Sequence, residues 1–151
     1  MNNELDPITN IAQPNLAEAE MAAQQLLVRL FYCLDRQRFD PLPRLFAENA
    51  EWQRADGTLK GRGGIAKFLG ERDNSQMMRH VLTNVWVSAV STEAATFSAT
   101  VTVFADAGAA SPPPAPPLYR LGRVRDVSGE VRRTAQGWLL WRLAIDKVFK
   151  E

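Results

Sequence analysis

From residue 78 onward this chain is dominated by β-branched and aromatic residues, in runs at about 78–90, 94–105, 118–133 and 138–149. Four such runs in succession predict four long antiparallel strands. What precedes them is helical. Pro14-Asn15-Leu16-Ala17-Glu18 reads as a helix start, with Asn15 as cap and Glu18 three residues on, as in a capping box. Apolar residues recur at Leu16, Ala19, Ala23, Leu26, Leu27, Leu30, Phe31 and Leu34. That three-and-four spacing predicts an amphipathic helix of about six turns ending near Asp35. Asp40-Pro41 starts a second, short helix, with Asp40 as cap and Leu42, Leu45 and Phe46 facing inward. Two short strands flank a turn at Asp56-Gly57, and Gly61-Arg62-Gly63-Gly64 leads into a third helix, Ile65 to about Gly70. Helices followed by long strands predict an α+β domain. A curved, mostly antiparallel sheet is expected to wrap the long N-terminal helix, with two shorter helices, leaving an open end that forms a cavity.

The 151 residues suit one domain, expected over 15–151 behind a loose arm at 1–14. Eighteen basic against seventeen acidic residues leave a net charge of +1, which offers nucleic acid or an anionic membrane no electrostatic handle. Cys33 and His80 each stand alone, so neither a disulfide within the chain nor a histidine–cysteine metal site is expected. No signal peptide and no apolar run of membrane-spanning length is seen, and the expected compartment is the cytoplasm. Gly108 to Pro117 carries five prolines and reads as a stiff, exposed hairpin loop. Gly61-Arg62-Gly63-Gly64 lacks the lysine–serine/threonine ending of a phosphate loop and reads as a helix-start turn.

The stretch from Met78 to Val87 carries the sole histidine. On a regular strand His80, Leu82, Asn84 and Trp86 share one face, which would line the cavity, while Val81, Thr83, Val85 and Val87 take the other. Trp52 and Phe97 are further candidates for the cavity wall. On the last strand Leu139, Trp141, Leu143 and Ile145 alternate as a buried face and Lys147 continues their parity. Trp138, Leu140, Arg142 and Asp146 then face solvent or a partner. Gly129 is expected to bend the third long strand. The basic run Arg120, Arg123, Arg125, Arg132 and Arg133 reads as a solvated or intersubunit salt-bridge surface.

Several stretches together resemble the SnoaL-like branch of the nuclear-transport-factor-2-like superfamily. They are Phe31 to Asp40, Leu45 to Trp52, Gly61 to Ile65, Arg79 to Asn84, and Gly137 to Trp141. The resemblance spans roughly residues 15–149 and implies the cone-like α+β barrel. Scytalone dehydratase, bile acid 7α-dehydratase and hexachlorocyclohexane dehydrochlorinase share it. They place an aspartate at the end of the first helix and a histidine on the first long strand, positions that match Asp35 and His80. The bile acid enzyme has an arginine matching Lys147. The dehydratases use a tyrosine near the start of the same helix segment, in the bile acid enzyme at the position of Leu30 here, and scytalone dehydratase uses a second histidine, which this chain lacks.

The resemblance thus implies an Asp35/His80 pair. A histidine titrates near neutral pH, and a carboxylate on one ring nitrogen fixes the tautomer and stabilises the imidazolium formed when the other takes a proton. That chemistry suits proton abstraction beside an electron-withdrawing group, followed by elimination or isomerisation, with no metal or redox cofactor. The expected function is a cofactor-independent lyase or isomerase acting on a small hydrophobic, cyclic molecule. Asp35 and His80 would be catalytic, and Trp52, Asn84, Trp86, Phe97 and Lys147 would contact substrate. The alternative is a non-catalytic ligand-binding or assembly domain resembling the small subunit of aromatic-ring dioxygenases. A homodimer through the sheet face is expected in either case.

Overall fold

The computed structural model describes residues 16–106 and 120–149. The expected arm at 1–14, the Asn15 cap and the proline-rich loop lie outside them. Helix α1, Leu16–Asp35, buries Ala19, Ala23, Leu26, Leu27, Leu30, Phe31 and Leu34, the stripe its periodicity predicts. A 3-10 turn at Leu42–Leu45 takes the place of the second helix. Pro41 rather than Asp40 occupies its N-cap position, and no side chain caps it. Strand β1, Phe46–Arg54, begins immediately afterwards. Only a few residues are therefore left, the length at which 3-10 geometry is used.

Strand β2, Gly57–Lys60, forms a hairpin with β1, and helix α2 runs Gly61–Gly70. The glycine-rich turn is thus the first turn of α2. Arg62 anchors it by donating from Nε and Nη2 to the Phe46 carbonyl at 3.1 and 2.7 Å. Then come β3, Met78–Val90, β4, Ala94–Ala105, β5, Arg120–Thr134, and β6, Gly137–Lys147, within a few residues of the expected runs. The six strands form one sheet in the order β2-β1-β6-β5-β4-β3. Every pairing is antiparallel except that of β1 with β6, which is parallel. The two helices cover one face, and Leu27, Leu30, Phe46, Ile65, Phe97, Leu140 and Leu143 meet there at the centre of the core. No helix among the described residues is long and apolar enough to cross a membrane.

Irregularities in β3 and β6 decide which side chains face the helices. On β3 the register passes from Thr83↔Thr100 to Trp86↔Ser98, which inserts one extra residue, and Asn84 adopts a positive φ of 53°. Such a bulge shifts the residues that follow it to the opposite face, until a second extra residue between Val87 and Ala89 restores the original phase and Val90 packs on the core. Val85 and Val87 join the core, while Trp86 and Asn84 leave the face of His80. On β6 the register passes from Glu130↔Arg142 to Val131↔Leu140, again one extra residue. Leu140, fully buried, therefore shares the inner face with Leu143 and Ile145, correcting the parity expected from simple alternation. Trp141 turns outward, with the Arg132 guanidinium 3.9 Å over its ring.

The Trp138 indole N–H donates to Glu18 on α1 at 3.0 Å, and Arg133 pairs with the same carboxylate. Glu18 thus pins α1 to the sheet. Trp138 and Arg133 hold it below the usual carboxylate pKa, the indole hydrogen bond contributing most. Gly129 is required for a different reason from bending. A Cβ there would stand 2.1 Å from the Arg142 carbonyl oxygen and 2.8 Å from Phe97 Cζ.

Candidate active site

The site is built where α1 ends. Arg38 N–H donates to the Cys33 carbonyl at 2.8 Å and Gln37 N–H to the Leu34 carbonyl at 3.2 Å, with Gln37 in the left-handed region at φ 54°. This is a Schellman ending, and it fixes Asp35 as the last residue of the helix. Phe31, one turn earlier, lies on the same helix face. Both meet His80 on β3. The Phe31 ring stacks on the imidazole with centroids 5.0 Å apart and planes 24° from parallel.

Asp35 Oδ1 lies 2.6 Å from His80 Nδ1, and the His80 backbone N–H donates to Asp35 Oδ2 at 3.0 Å. The two side chains are only 11% and 12% exposed. A carboxylate at a helix C-terminus opposes the helix dipole. Arg79 offsets this by donating from Nη1 to the Asp35 carbonyl at 3.1 Å and to the Met78 carbonyl at 2.8 Å. An ionised carboxylate can only accept, so in the neutral ring Nδ1 carries the hydrogen and Nε2 presents the lone pair. Nε2 has no protein partner among the described residues.

His80 borders a cavity of about 640 Å³ at the open end of the fold. Phe31, Leu34, Trp52, Phe68, Met78, Val101, Val103 and Ile145 supply its apolar wall. Trp52 stacks on Phe46 at 5.7 Å and meets Phe68 edge-on at 6.3 Å, while its Nε1 is buried without a hydrogen-bond partner. Arg54, Arg72, Arg123 and Arg125 line the same cavity, together with Asp56, Glu71 and Asp73. Among the described residues no three histidine, cysteine, aspartate or glutamate side chains gather into a metal-binding group.

Of the residues singled out from the sequence, Asp35, His80 and Trp52 come together here, Asp35 behind the imidazole rather than on the cavity wall. Phe97 is 1% exposed in the core and does not line the cavity. The β3 bulge carries Asn84 into solvent and Trp86 to the other face. Lys147 ends β6 as an exposed residue outside the cavity lining, because the cavity wall on this strand stops at Ile145. Simple alternation failed to find Phe31 as the ring under His80, and it missed the arginines. Arg123 and Arg125 share parity with buried Val127 on β5, which was the available sign that they face inward. Arg132 and Arg133 fit the expected salt-bridge surface, pairing with Glu130 and Glu18.

A family model of the SnoaL-like domain matches residues 15–144. Among solved structures, an NTF2-like protein with a cystatin-like fold from Novosphingobium aromaticivorans superposes with a TM-score of 0.73 at 23% identity, covering 97% of this chain and 94% of that one. A protein from the same organism, described as the beta subunit of an aromatic-ring-hydroxylating dioxygenase, gives 0.74 at 15% identity, covering 89% and 92%. ActVI-ORFA from Streptomyces coelicolor gives 0.68 at 19% identity, covering 85% and 96%. Among curated proteins none matches the sequence. At these identities the structural likeness carries the fold and no activity.

Proposed function

The chain belongs to the SnoaL-like family, and on that premise we propose that it is a small cofactor-independent enzyme, a lyase or isomerase, working through His80 and Asp35. The observation that carries this reading is the 2.6 Å contact of Asp35 with His80 Nδ1, beside a cavity large enough for a cyclic apolar molecule. Nε2 takes a proton from a substrate carbon next to an electron-withdrawing group. The electron pair moves into that group, or expels a leaving group from the neighbouring carbon. The imidazolium, stabilised by Asp35, returns its proton to a second carbon or to the departing group. Leu30 stands where the bile acid dehydratase carries tyrosine, so His80 itself serves as both base and acid. Trp52 and Phe31 form the apolar wall against which the substrate ring packs.

The test is to identify the small molecule retained by the purified protein by native mass spectrometry. Its C–H exchange in deuterated water is then followed by NMR. Exchange catalysed by the wild type and lost in His80→Ala is expected. Equal exchange in both proteins would sink the acid–base reading.

A second reading, a non-catalytic assembly domain, draws on the likeness in fold to a dioxygenase beta subunit. In either case we propose pairing with a second copy through the outer sheet face, where Trp86 and Trp141 are half-buried and Val81 is 46% exposed. A stable monomer in sedimentation at micromolar concentration would defeat the pairing.

A further inference from the structure

The cavity that His80 borders combines an apolar lining with four arginines and with Asp56, Glu71 and Asp73, and Arg123 and Arg125 lie directly beside Val103 and Val101 across the β4–β5 pairing. Arg54 sits 3.8 Å over the Phe68 ring and pairs with Asp56 at 3.4 Å. Asp73 is likewise occupied, accepting from the Ser75 backbone N–H and hydroxyl, each at 2.9 Å. Glu71, the remaining acid of the lining, is exposed and pairs with no cation among the described residues. Arg72, Arg123 and Arg125 also have no carboxylate within ion-pairing distance among the described residues, although all three line the cavity. On the neighbouring sheet surface Arg132, Arg133 and Arg142 are each paired with a glutamate. Burial and the nearby charge of Arg54 lower the Arg72 guanidinium from its usual pKa, with Asp35 opposing them. Arg72 is partly desolvated, Arg125 is half-buried and Arg123 is exposed at the cavity mouth; an anion reaching these unpaired groups gains charge-assisted hydrogen bonds, and their planar fork matches an oxyanion.

We infer that the ligand of this cavity is an amphipathic acid, whose apolar body packs against Phe31, Trp52 and Phe68 while its oxyanion is held by Arg72, Arg123 and Arg125. This rests on reading the cavity as the functional site, and it names the substrate class for that site. The arginines are specificity-determining residues that fix which end of the molecule enters towards His80. They place the carbon skeleton, not the charged head, against the imidazole.

Titration calorimetry with naphthoate, naphthyl phosphate and uncharged methyl naphthoate tests this without any turnover. At least one of the two anions should bind at least about tenfold more tightly than the ester, as expected for charge-assisted hydrogen bonds. The comparison of the two anions tells a carboxylate ligand from a phosphate. The preference should shrink as salt is raised and fall in Arg125→Gln and in Arg72→Gln, each checked for folding by circular dichroism. It should persist in His80→Ala. If the ester binds as well as both anions, or no anion binds at millimolar concentration, the inference is overturned while the dyad chemistry is untouched. If anions are preferred but His80 proves inert, the dyad reading fails and this one stands.

Discussion

The two oxygens of the Asp35 carboxylate are divided between two nitrogens of one residue, the backbone N–H of His80 at 3.0 Å and its ring Nδ1 at 2.6 Å. One contact fixes the strand against the helix end, and the other fixes the imidazole. With Phe31 stacked beneath the ring, the histidine is oriented by groups that all come from the last turns of α1. The geometry of the base therefore depends on the Schellman ending that stops the helix at Asp35.

Asp35→Asn and Asp35→Ala should separate the two roles. Both remove the anion behind the imidazole and should lower turnover by roughly 10²–10⁴-fold. Asparagine keeps an oxygen for the His80 backbone N–H. Alanine leaves that donor unsatisfied in a mostly buried setting, at a further cost of about 1–3 kcal/mol in urea denaturation. Full activity in Asp35→Asn would remove Asp35 from the chemistry.

The neutral imidazole should carry its hydrogen on Nδ1. Long-range proton–nitrogen NMR of the single histidine reports this directly, without interference from other rings. The neutral ring of the wild type should show an unprotonated Nε2, and Asp35→Ala should show a mixture shifted towards hydrogen on Nε2. A wild-type ring protonated at Nε2 would contradict the proposed base.

Glu18 gives the expected acid limb of stability. Its folded pKa lies below the unfolded value, chiefly through the Trp138 indole and then Arg133. The unfolded chain therefore takes up a proton first as pH falls. The stabilisation is present above the ordinary carboxylate range and is lost as pH drops through and below it. Denaturation midpoints across that range should fall less steeply for Glu18→Gln than for the wild type. Identical slopes would show that Glu18 does not couple α1 docking to pH.

Gly129→Ala should destabilise by roughly 1–3 kcal/mol or more, since the new methyl meets the Arg142 carbonyl as well as the Phe97 ring. The carbonyl belongs to the β6 backbone beside the bulge and has little room to retreat. Phe97→Leu in the same chain should recover part of the loss, read as a double-mutant cycle. Full recovery would mean the ring alone sets the constraint.

The strand extents and the buried stripe of α1 were legible because composition and periodicity act locally. The Asp35–His80 pairing was legible only through family resemblance, since nothing within either segment points to the other. Asn84, Trp86, Leu140 and Trp141 were misplaced for one shared reason. A period of two carries the correct face only as far as the first bulge. Nothing in the local sequence marks either insertion except Asn84, whose side chain tolerates the positive φ. Arg123 and Arg125 were misread because charge alone suggested solvent, whereas their parity with Val127 placed them over the cavity.

The bulge at Asn84 lies beyond His80 along β3, so it divides the strand into a half that holds the reactive ring and a half that can be re-phased independently. Loss or gain of one residue there would exchange the inward set, Val85 and Val87, for the outward one that includes Trp86, and leave the Asp35 contact in place. Length changes at this point thus act as a shutter on the far half of the strand, a route by which such a chain can alter its interior lining in one step while the histidine keeps its station.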